Sequence, residues 1–217
     1  MKRIFSMLLA FFTLVQVASA QNNPKDPEAL KVLDAMSKKY QAMKAYSVSF
    51  TQLLESPQAK VKETIAGDIT VSGNKFRLAV AGQEIINNGT TIWTYMKKEN
   101  EVNISDFDPE EQELTPDQIY NLYKKGYKYV HSGEEKIAGE TVHVIDLTPD
   151  DRNNQVFKVR LHISKKDNSL KSWKMFRKNG TRYTYTIKKF TANPPVNAST
   201  FTFDKTKYKG VKVVDLR

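Results

Sequence analysis

The sequence predicts a mainly β fold: one large curved antiparallel sheet or barrel of about eleven strands, with two short helices. Three observations carry this expectation. Beyond Lys44 the apolar residues fall at every second position. Tyr46, Val48 and Phe50 alternate with Ser47, Ser49 and Thr51, the period of a half-buried strand. Runs of this kind then succeed one another as far as residue 190, separated by short polar breaks. Finally, the apolar members are often large: Phe50, Phe76, Trp93, Tyr95, Phe157, Trp173, Phe176, Tyr183 and Tyr185. Side chains already fill a barrel of about eight strands, so a larger one encloses a void, holds an apolar guest, or is plugged by its helices.

In chain order, Met1–Ala20 reads as a signal peptide rather than as part of the fold. Lys2 and Arg3 precede an apolar run from Ile4 to Val17, and Ala18-Ser19-Ala20 supplies the small residues that a signal peptidase needs before Gln21. An uncleaved anchor is the alternative, although so short a run spans a bilayer poorly. Cleavage would leave residues 21–217 as a single soluble domain with the charge reduced from +10 to +8.

Asp26-Pro27-Glu28 is a helix start, with Asp as N-cap, Pro at the first helical position and an acid in the first turn. Leu30, Leu33, Met36, Tyr40 and Met43 then recur at three and four residues, so one stripe faces inward. Strands follow from Tyr46 and then near 61–72, 75–80, 83–88, 91–97, 100–105, 127–133, 141–148, 155–164, 169–177 and 181–190. Gly73-Asn74, Asn88-Gly89, Lys166-Asp167-Asn168 and Asn179-Gly180 mark turns between them. One break in the meander, Thr115-Pro116-Asp117-Gln118, has the form of a capping box. It predicts a short helix with Ile119, Leu122 and Tyr123 on one side, ending at Gly126.

The chemistry that is missing narrows the function. With no cysteine there is no disulfide, thiol nucleophile or thiolate metal site. His131, His143 and His162 fall in three separate strands, and no Gly-x-Ser-x-Gly elbow or Gly-rich phosphate loop occurs. The acidic stretch Asp106 to Glu111 lacks the glycine and spacing of a calcium loop and reads as a solvated hairpin loop. No catalytic residue, metal ligand or cofactor site is therefore assigned. Export, and the lack of any recognition motif, also set nucleic acid aside as a partner. The positive charge is left for anionic membranes or acidic partner surfaces.

Several segments resemble the outer-membrane lipoprotein carrier family, LolA. Ala45-Tyr46-Ser47-Val48-Ser49-Phe50-Thr51-Gln52 after the first helix is similar to the start of its barrel. Gly67-Asp68-Ile69 with Lys75-Phe76-Arg77 resembles its second hairpin, and Asn88-Gly89-Thr90-Thr91-Ile92-Trp93-Thr94-Tyr95 its "Asp-Gly-x-x-Leu-Trp-x-Tyr" strand pair. Leu147-Thr148-Pro149 and Phe201-Thr202-Phe203 follow in family order.

The resemblance implies an unclosed antiparallel barrel over a hydrophobic cavity, covered by the N-terminal amphipathic helix and the short inserted helix. It implies a monomeric periplasmic chaperone, not an enzyme, that takes acylated lipoproteins from an inner-membrane ABC-type release complex to an outer-membrane receptor. Phe50, Ile69, Val71, Phe76, Leu78, Trp93, Tyr95, Ile119 and Leu122 would line the cavity or the underside of the lid. The family's Arg-Pro lid latch has no counterpart in Ser72-Gly73-Asn74-Lys75, and Leu78 stands where a tryptophan is usual. Arg77 matches, but alternation points it away from Phe76. Two other readings remain: a signalling or interaction module built on the same barrel, and an exported lipid-acting hydrolase.

Overall fold

The two-residue period becomes twelve strands in one sheet, and the 3.6-residue period a single α-helix. The computed structural model describes residues 25–108 and 118–217. Helix α1 (Pro27–Gln41) starts as expected, the Asp26 carboxylate accepting the Glu28 N–H at 2.8 Å. Ala29, Val32, Leu33, Met36 and Tyr40 are its buried stripe.

The strands are β1 (Tyr46–Ser56), β2 (Val61–Ser72), β3 (Lys75–Val80), β4 (Gln83–Asn87), β5 (Thr91–Met96), β6 (Glu101–Asp106), β7 (Tyr127–Ile137), β8 (Glu140–Pro149), β9 (Val156–Ser164), β10 (Leu170–Arg177), β11 (Arg182–Ala192) and β12 (Lys212–Asp215). Their order is β12-β6-β5-β4-β3-β2-β1-β11-β10-β9-β8-β7. Neighbours are antiparallel except β12, which lies parallel to β6. Strands β12 and β7 are the two edges and do not pair with each other, so the barrel is unclosed. The short β12 corrects the expectation of eleven. Among the described residues no helix is long and apolar enough to cross a membrane.

The inserted helix is tighter than expected: a 3-10 segment, Ile119–Lys124, with Ile119, Tyr120, Leu122 and Tyr123 buried. Gln118 precedes it without a side-chain cap. The rest of the anticipated capping box (Thr115, Pro116, Asp117), half of the acidic stretch (109–111) and the signal peptide lie outside the described residues.

Residues directly opposed in an antiparallel ladder point to the same face. Val48, Ile69, Leu78 and Ile85 therefore share the concave face, joined across β11 and β10 by Ile187, Tyr185 and Trp173. Helix α1 and the 3-10 segment pack onto this face in one continuous core. Gly67 fits that packing. A Cβ there would stand 2.6 Å from Phe50 Cζ, so the missing side chain gives the Phe50 ring its place.

Candidate functional site

The site is built on the concave face beneath α1. Phe50, Ile69, Val71 and Phe76 reach it from β1, β2 and β3, each no more than 3% exposed, and half-buried Leu78 packs beside them. From above come Ile119 and Leu122 of the 3-10 segment and Leu33 and Met36 of α1, the last two with no exposed surface. The surplus interior anticipated from the aromatic residues is filled in this conformation by the helices themselves.

Trp93 and Tyr95 are not in this group, which corrects their expected placement. They oppose Ile86 and Glu84, and so point to the convex face. There Tyr95 packs against Phe203 (6.1 Å between centroids) and Tyr208 (4.6 Å). Alternation gives β5 the right phase but the wrong face. What settles the face is the cover: residues 198–211 lie over the outside of β3–β5, with Phe201 and Val211 buried in a second small core. Arg77 helps fasten that cover, donating to Glu84 Oε1 (2.7 Å), the Thr200 carbonyl (3.2 Å) and the Tyr208 hydroxyl (3.2 Å).

How the helices are held matters more than which residues touch. Four side-chain bonds tie α1 to the 3-10 segment. The Tyr123 hydroxyl donates to Asp34 at 2.5 Å, Ser37 and Gln41 both donate to Asn121 Oδ1 at 2.8 and 2.9 Å, and Lys124 donates to Ser37 at 3.1 Å. Burial, reinforced by Asp34, pushes the Tyr123 hydroxyl up to about 12, so it stays a donor. The two helical pieces are therefore one lid.

Among the described residues, the polar ties found between the lid and the barrel lie at its two ends. At the N-terminal end the Asp26 N–H donates to the Tyr129 carbonyl (3.2 Å), and the His131 N–H donates to Asp26 (2.9 Å). At the C-terminal end Lys39 pairs with Asp167 in the β9–β10 turn at 2.6 Å. Burial opposes ionisation of Asp167, but Lys39 and Ser169 hold its carboxyl well below the usual range. Beside this pair the Tyr40 hydroxyl accepts the buried Leu170 N–H at 3.0 Å. The Tyr40 ring stacks on Tyr120 with centroids 3.5 Å apart, and its edge meets Phe190 at 5.5 Å. Tyr40 and Lys39 thus tie this end of α1 to the barrel, where the sequence has no Arg-Pro step. The sequence signal was available in Asp34 and Ser37, two polar residues one turn apart beside an apolar stripe.

The histidines form two groups. His131 and His143 hydrogen-bond each other at 3.0 Å next to the N-terminus of α1. His162 bonds Ser172 at 2.8 Å and approaches Glu135 to 3.5 Å. This second trio has the residue types of a hydrolase triad but not its setting. Ser172 is 5% exposed on the convex face, in mid-ladder between Thr186 and His162, where backbone N–H groups serve the sheet rather than an oxyanion. Among the described residues no cluster of His, Asp and Glu is arranged to hold a metal ion.

An open antiparallel barrel with an apolar concave face under a two-piece helical cover defines the class of lidded open-barrel binding proteins. The chain belongs to the outer membrane lipoprotein carrier protein LolA family, whose sequence profile matches residues 41–204. Among solved structures it is similar to an uncharacterized conserved protein from Thermus thermophilus (12% identity, 87% of this chain and 99% of that one, TM-score 0.58). It is also similar to a LolA superfamily protein from Nitrosomonas europaea (14%, 82% and 98%, TM-score 0.44). A third is a putative outer membrane lipoprotein-sorting protein domain from Vibrio parahaemolyticus (13%, 84% and 98%, TM-score 0.47). No curated protein matches the chain by sequence.

Proposed function

We propose that this chain is a periplasmic carrier that shelters the acyl chains of lipoproteins against its concave face and moves them from the inner to the outer membrane. Met1–Ala20 directs export and is removed, and residues 21–217 form one carrier domain. An ABC-type complex in the inner membrane would supply the cargo and an outer-membrane receptor would accept it. The supporting observation is the construction of the lid. Its two pieces are bonded to each other, while the polar ties to the barrel found among the described residues lie at its ends, which would let it leave as a unit.

Departure of the lid would uncover Phe50, Ile69, Val71, Phe76 and Leu78 on the barrel, and Ile119 and Leu122 on the lid itself. Trp93 and Tyr95 take no part. An acyl chain laid against these residues in the lid's place is stabilised by about 0.8 kcal/mol per buried methylene. The test is native mass spectrometry of the protein recovered from the periplasm of cells with an active release complex. Bound mass carrying acyl chains is expected. Recovery without lipid or lipoprotein overturns the reading, and capture of an acyl-free protein segment would instead identify an interaction module.

A further inference from the structure

The corner of the barrel formed by the start of β9, the end of β10 and the start of β11 carries a feature that the lidded face does not use. Phe157 has no partner where the β9–β10 register slips between Phe176 and Arg177. Such an irregularity re-aims the side chain, and Phe157 is left 46% exposed with its ring 6.2 Å from Phe176. Cations gather on the Phe176 ring. Lys158 Nζ lies 4.4 Å from the Phe176 ring centre, Lys174 5.7 Å and Arg182 5.8 Å.

Acids nearby do not cancel them. Asp146 is held by both donors of Arg160 at 2.7 and 2.8 Å, with Lys158 3.8 Å away. Glu55 is shared between Lys174 at 3.4 Å and Lys62 at 3.8 Å. A second exposed apolar residue, Val61 (41%), starts β2 on the same rim, because Glu55 opposes both Lys62 and Arg182.

We infer that this corner is a docking face for an anionic phospholipid bilayer. An exposed phenylalanine packed beside a ring that carries long cationic side chains combines apolar insertion with attraction to negative headgroups. Charge complementarity selects the bilayer, since cations outnumber acids at the patch as they do over the whole chain. The topology fits as well. The Lys39–Asp167 pair joins the C-terminal end of α1 to the β9–β10 turn, at the far end of both strands, so a molecule docked here keeps that end of the lid away from the membrane.

The test is co-sedimentation with vesicles of 70% phosphatidylethanolamine and 30% phosphatidylglycerol, against pure phosphatidylcholine, in low salt. Binding to the anionic vesicles alone is expected, and about 0.5 M salt should abolish it. The pair Lys158→Gln with Arg182→Gln should lower partitioning about 25-fold, about fivefold for each charge. Phe157→Ser should lower it about tenfold. The pair Lys165→Gln with Lys166→Gln removes the same charge at the opposite rim and should leave most of the binding. Unchanged circular dichroism and unchanged acyl loading would show that the variants fold and that the concave face is intact. No preference for anionic vesicles overturns the inference. So does an equal loss in patch and control variants, or a patch that instead captures a membrane protein while ignoring lipid.

Discussion

Replacing Tyr40 with phenylalanine tests whether the lid opens separately from the rest of the fold. The substitution keeps the ring that stacks on Tyr120 at 3.5 Å and removes only the hydroxyl that accepts the Leu170 N–H. Leu170 is 1% exposed, so with the lid shut its amide would be buried without a partner. An unsatisfied buried donor costs about 1–3 kcal/mol. With the lid open, water satisfies the same amide, so the whole penalty falls on the closed state. The open population should rise about 5- to 150-fold.

Hydrogen exchange measured by mass spectrometry reads this directly. Amides of α1 and the 3-10 segment should lose protection together by that factor, because their side chains are bonded to each other, while β8 and β9 should hold theirs. Lys39→Gln is the internal comparison. Its ion pair with Asp167 is 28% and 47% exposed, which puts it among pairs contributing about 0–1 kcal/mol, and its effect should be smaller. If α1 is unaffected by Tyr40→Phe, the hydroxyl is no latch. If β8 and β9 accelerate by the same factor, α1 opens only when the whole domain unfolds, and a separate lid does not exist.

Three further outcomes are expected. Gly67→Val places atoms where Phe50 Cζ stands 2.6 Å from an ideal Cβ, and should destabilise the domain by about 1–3 kcal/mol in urea unfolding, partly relieved by Phe50→Leu. Arg77→Gln removes the guanidinium that joins Glu84, Thr200 and Tyr208, and should speed proteolysis within residues 198–211 with little loss of helix signal. Burial and the neighbouring His131 hold His143 below its ordinary value, among Glu28, Glu134 and Lys165. The unfolded chain therefore binds the proton first, and stability falls as pH drops below about 6.5. His162, lowered chiefly by burial, has the same sign, so His143→Gln should flatten the decline in melting temperature between about pH 7 and 5 without removing it.

Strand positions were legible because alternation and turn chemistry are local. Asn88-Gly89 and Asn179-Gly180 mark real reversals, with Gly89 and Gly180 at φ +96° and +80°. Helix α1 was legible from its cap and stripe for the same reason. Strand β12 was not, since Lys212–Asp215 is four residues long and its partner in β6 is more than a hundred residues away in the chain. The faces of Trp93 and Tyr95 were not legible either. Alternation says that two residues share a face, but the face that turns inward depends on what packs against it. Here that is set by residues 198–211 on one side and α1 on the other. Phe157 escaped for a related reason, because a slipped register breaks the alternation on which any such reading relies.

A core completed by helices and a cavity for acyl chains look like competing descriptions of the concave face, yet magnitudes make them compatible. Val32, Leu33, Met36 and Tyr40 of α1 and Ile119, Tyr120, Leu122 and Tyr123 of the 3-10 segment are the large side chains that the lid buries, each stabilising the closed state by about 1.5–3 kcal/mol, or about 12–24 kcal/mol together. One or two acyl chains of about fifteen methylenes each offer about 12–24 kcal/mol for the same apolar surface. Exchange of lid for ligand is then close to balanced, and small polar contacts such as Tyr40–Leu170 decide which state prevails. A permanently open cavity would expose Phe50, Phe76 and their neighbours to water and invite aggregation, whereas a lid bonded all along the barrel could not yield to cargo. Polar ties confined to the two ends of a self-bonded apolar lid avoid both failures, and this is why a filled interior supports the carrier reading.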